Sequence, residues 1–355
     1  MFGRSVIRAA TTAARATPIA QQAVPLVTKV VPLVTKATRA SFTSGAKLRE
    51  PVEIISEREV PTSSYAGGEA QHSTIKVKDE VVVPLTREIY DRMTPSMQKM
   101  TLMDKVVMVT GGARGLGNNM ARACIEAGAK AIIIIDANQD LGDAAAAELH
   151  KLTGNTVPVE FFKVDVRDGG AIEDCVNAVV EKYGAPDVLI NSAGIADSNI
   201  PAETYDHVMF RRLIDINLTG SFLMAQTVGK AMMAAKKPGS IVLVASMSGI
   251  IVNYPQEQSC YNASKAGVIQ LGKSLGAEWA KYNIRVNCIN PGYMDTALNN
   301  VPALDAQKVI WKSLTPQNRL GAVDDLNGLA VFLGSDASGF MTGSSVTIDG
   351  GYTLY

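Results

Sequence analysis

Tyr261 and Lys265 stand four residues apart in Tyr261-Asn262-Ala263-Ser264-Lys265, a spacing that puts both side chains on one face of a helix. An unperturbed phenol has a pKa of about 10. A neighbouring ammonium favours its anion, which moves Tyr261 toward general acid/base chemistry near neutrality. Ser246 lies fifteen residues upstream, just past the apolar run Ile241-Val242-Leu243-Val244. A hydroxyl at the C-terminal end of such a strand sits where α/β sheets place their ligands, able to bind the oxygen whose proton Tyr261 handles. Ser248, two residues on, is the alternative for that role. A Tyr–Lys pair is also common on solvated helix faces, so the elements around it decide.

A second constellation is Thr110-Gly111-Gly112-Ala113-Arg114-Gly115-Leu116-Gly117. It follows the β-branched run at 106–109 and opens a helical pattern through Met120, Ala123, Cys124 and Ala127. Glycines at such a turn let backbone N–H groups approach a pyrophosphate, and the helix N-terminus adds about half a positive charge. The spacing Gly111, Gly115, Gly117 departs from the G-x-G-x-x-G dinucleotide fingerprint. Asp136 ends the next apolar run, 19 residues after Gly117. A carboxylate there accepts hydrogen bonds from ribose hydroxyls and repels a 2′-phosphate, which predicts NAD rather than NADP. Arg114 pulls the other way, because it can pair with that phosphate. The plain alternative for Asp136 is a strand-end Asp that caps the following helix.

The elements that must position these residues alternate. Strands are predicted at 106–109, 131–135, 158–164, 187–190, 240–245 and 345–348. Helices are predicted after the glycine turn, through Met120, Ala123, Cys124 and Ala127, and over 139–152, 170–183, 203–214, 221–236 and 260–281. Short connections between strands and helices mean parallel βαβ units, hence an α/β, doubly wound sheet in one domain over 104–355. The stretch between Ser246 and Tyr261 is expected to border the substrate, and Asn253, Gln256, Glu257 and Gln258 would suit a hydroxyl-rich molecule.

TGGARGLG at 110–117, Asp165-Val166, Asn191-Ser192-Ala193-Gly194, Asn217, Ser246, YNASK at 261–265 and PGYMDT at 291–296 occur in this order. The series resembles the short-chain dehydrogenase/reductase family, and the stretch from Ser246 to Gln258 looks like its polyol and ketose branch. The resemblance implies a single Rossmann-like domain with a seven-stranded parallel sheet, usually in a homotetramer. It implies Tyr261 as the acid/base, Lys265 lowering its pKa and holding the nicotinamide ribose, Ser246 positioning the reacting oxygen, and Asn217 keeping a proton-relay water. By the same resemblance Gly111, Arg114, Gly115, Leu116 and Gly117 hold the cofactor at the first turn, with Asp136 on the adenosine ribose. Asp165 and Val166 contact adenine, Asn191, Ala193 and Gly194 line the cofactor, and Pro291, Gly292, Met294 and Thr296 bind its nicotinamide side. Ser192 replaces the family's usual second Asn, and the Ser-to-Tyr gap is about two residues longer than in many members; the polyol branch shares that gap, which selects Ser246 over Ser248. The expected reaction is NAD-dependent interconversion of a sugar alcohol and its ketose, D-arabinitol and D-ribulose first. An NADP-linked conversion of mannitol or of L-xylulose is the alternative. Presence of both Tyr261 and Lys265 opposes a purely binding role on the same scaffold.

Composition bounds the rest. The 355 residues are 47% hydrophobic and 19% charged, with 34 basic and 34 acidic side chains. No apolar run approaches the roughly 18–20 residues of a membrane-spanning helix. Cys124, Cys175, Cys260 and Cys288 show no CxxC spacing and the three histidines no cluster, so neither a metal site nor a disulfide framework is expected. The balanced charge hides an asymmetry. Residues 1–49 carry eight basic residues and no acid, leaving 26 basic and 34 acidic residues in the remainder, a net charge of −8. An acidic body argues against nucleic acid as a partner. Arg4, Arg8 and Arg15 fall within about 40° on a helical wheel, opposite Phe2, Val6, Ala9 and Ala13. That is the composition of a mitochondrial transit peptide, so residues 1–45 are expected to direct import to the matrix. Two copies of VPLVTK, at 24–29 and 31–36, are too few for a solenoid. Residues 46–103, with scattered prolines and a Gly67-Gly68 pair, are predicted to be a linker with one short helix near 86–92.

Overall fold

The computed structural model describes residues 57–66, 69–78, 83–296 and 304–355, so the expected import leader lies outside the described residues. Strands β1 (Glu57–Ala66) and β2 (Glu69–Lys78) form an antiparallel pair in register from Glu57↔Lys78 to Ala66↔Glu69. Two short helices follow, α1 (Arg87–Asp91) and α2 (Pro95–Lys99). This part of the predicted linker therefore holds more structure than expected. Each strand is ten residues long, and Pro61 is tolerated because both strands of a two-stranded sheet are edges.

The elements that follow run β3 (Val106–Thr110), α3 (Gly115–Glu126), β4 (Ala131–Asp136), α4 (Gln139–Leu152), β5 (Val159–Lys163) and α5 (Gly169–Tyr183). They continue through β6 (Val188–Asn191), α6 (His207–Ile214), α7 (Gly220–Ala234), β7 (Gly239–Val244) and α8 (Ser259–Trp279). The last are β8 (Ile284–Pro291), α9 (Asp305–Leu314), α10 (Asn327–Gly334) and β9 (Ser345–Ile348). The sheet order is β5-β4-β3-β6-β7-β8-β9, all parallel. The seven-stranded doubly wound sheet expected for 104–355 is present. β8, α9 and α10 are additions to the sequence reading. The helix predicted from 203 begins later, at His207, where the Asp206 carboxylate accepts from the N–H groups of Val208 and Met209.

Both faces of the sheet are covered, which is why its central strands read as unbroken apolar runs. Met108, Ile133, Leu189 and Leu243 pack on one side with residues of α5, α7 and α8. Val109, Ile134, Ile190 and Val242 pack on the other with α3, α4 and α10. Successive residues of a strand thus serve opposite cores. The chain reverses its winding between β3 and β6, and a cleft at such a switch point is where an open α/β sheet binds ligands. No helix among the described residues is long and apolar enough to cross a membrane.

Candidate active site

The cleft begins where β3 and β6 end side by side. Thr110 and Asn191 are register partners; Thr110 Oγ1 donates to Asn191 Oδ1 at 2.7 Å and accepts from Ala193 N at 3.0 Å. Asn191 Nδ2 donates to Ser221 O at 3.0 Å. This locks the loop 191–194 against the glycine turn. Gly111 has φ +63°, and a Cβ there would lie 2.9 Å from Ala193 Cα. A Cβ on Gly117 would come within 2.4 Å of Gly111 O, so only glycine lets α3 start this close to the turn. At Gly115, with φ +60°, a Cβ would meet nothing within 4 Å: the space beside it is open. No side chain caps α3, whose N-cap is the exposed Arg114. An uncapped helix start beside an open glycine turn fits a pyrophosphate.

Asp136 ends β4 beside this turn. Its carboxylate accepts from Ala113 N at 3.4 Å and from Asn138 N at 3.1 Å. It does not cap α4; the Asn138 side chain does, accepting from Leu141 N. Leu116 is partly buried against the same core. Val166 is buried, and a Cβ on Gly220 would come within 2.7 Å of its Cγ2. The Asp165 carboxylate is taken by Arg167, which donates through its backbone N and Nε at 3.0 Å and through Nη2. That guanidinium holds Asp165 below the usual carboxylate range, against the opposing effect of burial. Pro291 closes β8, Gly292 N donates to Ile348 O at 3.0 Å, and Met294 is buried. Thr296 is the last described residue before the gap at 297–303.

The catalytic candidates converge at the end of β7. Lys265 is buried, and its Nζ donates to Val244 O at 2.9 Å. The ammonium lies 5.6 Å from the Tyr261 ring centre. Burial pulls Lys265 down to about 8, with Cys288 opposing. Tyr261 departs from expectation: burial raises its pKa, and a hydrogen bond with Ser246 opposes the rise. Desolvation of the phenolate outweighs any pull from the ammonium. Of the two serines it is Ser246 that acts on the Tyr261 phenol, with Ser248 Oγ 3.1 Å from Ser246 Oγ. A Cβ on Gly249 would come within 2.7 Å of Ala266 N, so the turn carrying Ser246 lies directly on α8.

Asn217 falls in a π-helical turn, Asp215–Thr219, between α6 and α7, a feature frequent at functional sites. Fully buried, it donates to Ile195 O and accepts from Ile195 N, both at 2.9 Å, and donates to Ser264 Oγ at 3.1 Å. A Cβ on Gly194 would lie 3.2 Å from Asn217 Oδ1 and 3.5 Å from Lys265 Nζ, so these three residues share one wall.

The polar stretch after Ser246 is arranged otherwise than expected. Asn253, Gln256 and Gln258 are buried and bonded to protein groups, while Glu257 is exposed. Gln258 Nε2 donates to Ser248 Oγ at 3.2 Å, to Asn253 Oδ1 at 2.8 Å and to Asn262 Oδ1 at 3.0 Å. Asn253 Nδ2 donates to Tyr293 Oη at 2.9 Å, and Tyr293 Oη donates to Gln256 Oε1 at 3.0 Å. Trp311 Nε1 donates to the same oxygen at 3.0 Å, its ring stacked on Tyr293 at 4.2 Å. The burial of these amides, and with it the roles of Thr110, Gly249, Tyr293 and Trp311, is absent from the sequence reading. Three Asn/Gln side chains within six positions were its one visible sign.

A family profile described as Enoyl-(Acyl carrier protein) reductase matches residues 111–353. An NADP-dependent mannitol dehydrogenase of Hypocrea jecorina is 42% identical over 259 residues, covering 71% of this chain and 94% of that protein. A ribulose-forming D-arabinitol 2-dehydrogenase of Candida tropicalis is 38% identical over 279 residues, covering 75% of this chain and 97% of its own. Among solved structures, an NAD⁺-bound xylitol dehydrogenase matches with a TM-score of 0.66 at 30% identity, covering 70% of this chain and 99% of the other.

Proposed function

Because the chain belongs to the short-chain dehydrogenase/reductase family, we propose that it interconverts a sugar alcohol and its 2-ketose with NAD, D-arabinitol and D-ribulose first among candidate pairs. The observation that carries the reaction type is buried Lys265 with its ammonium 5.6 Å from the Tyr261 ring centre, next to a glycine turn open to a dinucleotide. When bound, NAD(P) supplies the ring that exchanges a hydride with the substrate carbon.

The protein's own residues handle the oxygen and its proton. In the oxidative direction the hydroxyl proton of the substrate passes to the Tyr261 phenolate; in reduction the phenol returns it. Ser246 holds that oxygen by hydrogen bonding. Lys265 places a positive charge beside the phenol, and its remaining N–H groups would hold the nicotinamide ribose of a bound cofactor. Asn217 holds the loop at Ile195 and the helix at Ser264 in one position, which supports its proposed part in a water relay.

A sugar alcohol is supported by the names of the relatives, since the amides once expected to face it are engaged with one another. NAD is supported by Asp136, whose carboxylate stands beside the turn. The second reading, an NADP-linked mannitol 2-dehydrogenase or L-xylulose reductase, is favoured by the 42% identical relative. Initial rates with NAD and NADP across pentitols and hexitols, and with their ketoses, test the assignment. Turnover of D-arabinitol with NAD supports it; oxidation of mannitol with NADP alone moves it to the second reading.

Two further parts of the proposal concern place and assembly. Import into the mitochondrial matrix is supported by the acid-free basic stretch 1–49. A homotetramer is supported by the exposed apolar side chains Val208, Met209, Phe210 and Phe222 on α6 and α7.

A further inference from the structure

Trp311 fixes the polarity of the buried amide network. An indole N–H only donates, so Gln256 must turn its oxygen toward Trp311. Tyr293 faces that oxygen and spends its single proton on it. Toward Asn253, Tyr293 can then only accept, which orients the Asn253 NH₂ to Tyr293 and its oxygen to Gln258. Gln258 must answer with its own NH₂, whose two protons are shared among Asn253 Oδ1 at 2.8 Å, Asn262 Oδ1 at 3.0 Å and Ser248 Oγ at 3.2 Å. Amide orientation is normally an assignment; here an obligate donor at one end determines it.

We propose that Gln258 is a positioning residue for the reaction, acting through Ser248 to make Ser246 a hydrogen-bond donor toward the reacting oxygen. The contact between Ser246 Oγ and Ser248 Oγ is 3.1 Å, and either hydroxyl can donate across it. An amide nitrogen cannot accept a proton, so with Gln258 Nε2 on one side of it the Ser248 hydroxyl turns its proton to Ser246 Oγ. Ser248 N also donates to Ser246 Oγ, at 3.1 Å. Two donors fill the acceptor sites of Ser246, so its own proton points away, toward Tyr261 and the substrate oxygen. Gln258 is the residue just before α8, its side chain makes no cap there, and it is buried. Its carboxamide therefore serves the network rather than the helix end.

The inference rests on the dehydrogenase reading, and the test separates the two. In Gln258→Met, which keeps length and removes the donors, kcat falls roughly tenfold, the worth of one hydrogen bond, with the cofactor KM unchanged. Ser248→Ala gives a similar loss, and the double variant loses no more than either alone. The lower pH midpoint of kcat for alcohol oxidation rises, because the Tyr261 phenolate has lost a donor. Gln258→Glu, nearly isosteric, presents only acceptors when ionised, draws the Ser248 proton to itself and loses at least as much. It carries the test if the Met variant does not fold. Additive losses in the double variant, or an unmoved midpoint with only a lower Tm, overturn the proposal. If the wild type turns over none of the polyols or ketoses, the functional reading fails by itself. The inference is then read by ultraviolet titration of the Tyr261 phenol, as wild type minus Tyr261→Phe. An upward shift in Gln258→Met supports it and an unchanged titration overturns it.

Discussion

Lys265 Nζ donates a 2.9 Å hydrogen bond to Val244 O, tying the buried lysine of α8 to the end of the strand that leads into Ser246. Burial holds this lysine near 8, down from the 10.5 of a free side chain. Below about pH 8 both folded and unfolded chains carry the proton, and the folded state bears the full desolvation penalty. Between about 8 and 10.5 the unfolded chain keeps a proton that the folded one has released, so stability rises with pH. Wild type is expected to gain at most about 3 kcal/mol relative to Lys265→Met across that window. Urea unfolding of both proteins at several pH values checks this; parallel curves refute it.

Tyr261→Phe keeps the ring and removes the proton carrier. Turnover is expected to fall at least about 10²-fold, while fluorescence titration shows the cofactor still bound. Activity within a few-fold of wild type would remove Tyr261 from the proposed role.

Gly249→Ala places a methyl 2.7 Å from both Ala266 N and the Lys265 carbonyl carbon. Backbone cannot yield there, so the Ser246 turn lifts from α8. Misplacement of about 1 Å near a reacting centre loses as much as about 10²-fold in rate, with about 1–3 kcal/mol of stability lost to overpacking. Steady-state kinetics and thermal unfolding measure the two effects, and wild-type kcat would show that the turn does not need this contact.

Asp136→Ala removes the carboxylate beside the glycine turn. The wild type is expected to prefer NAD, since a 2′-phosphate there meets a like charge. The variant narrows that preference and leaves Arg114 free to pair with the phosphate. The ratio of kcat/KM for NAD and NADP, at one ionic strength, decides; a wild type that already favours NADP contradicts the reading of Asp136.

The N-terminus of the protein purified from its own cells reports on the leader. Mass spectrometry is expected to find a start near residues 40–45 in a mitochondrial fraction. An intact Met1 or Phe2 start in the cytosol contradicts import.

Local chemistry sufficed for much of this protein. Apolar runs such as Ala131-Ile132-Ile133-Ile134-Ile135, the glycines at 111, 115 and 117, and the Tyr261–Lys265 spacing each depend on near neighbours, and so could be read along the chain. β8 could not. Arg285, Asn287 and Asn290 interrupt its apolar pattern, and they are tolerated because their partners come from far along the chain. Arg285 binds Leu333 O and Ser338 Oγ, Asn287 binds Met341 O, and Asn290 binds Ser345 Oγ. The stretch 253–258 failed for the same reason: Tyr293 and Trp311 turn Asn253, Gln256 and Gln258 inward, because a buried amide is stable only where distant donors and acceptors meet it. The sequence alone determined which residues could do chemistry. Tertiary structure decided which of them face one another, because each buried polar group follows a partner that no local spacing reveals.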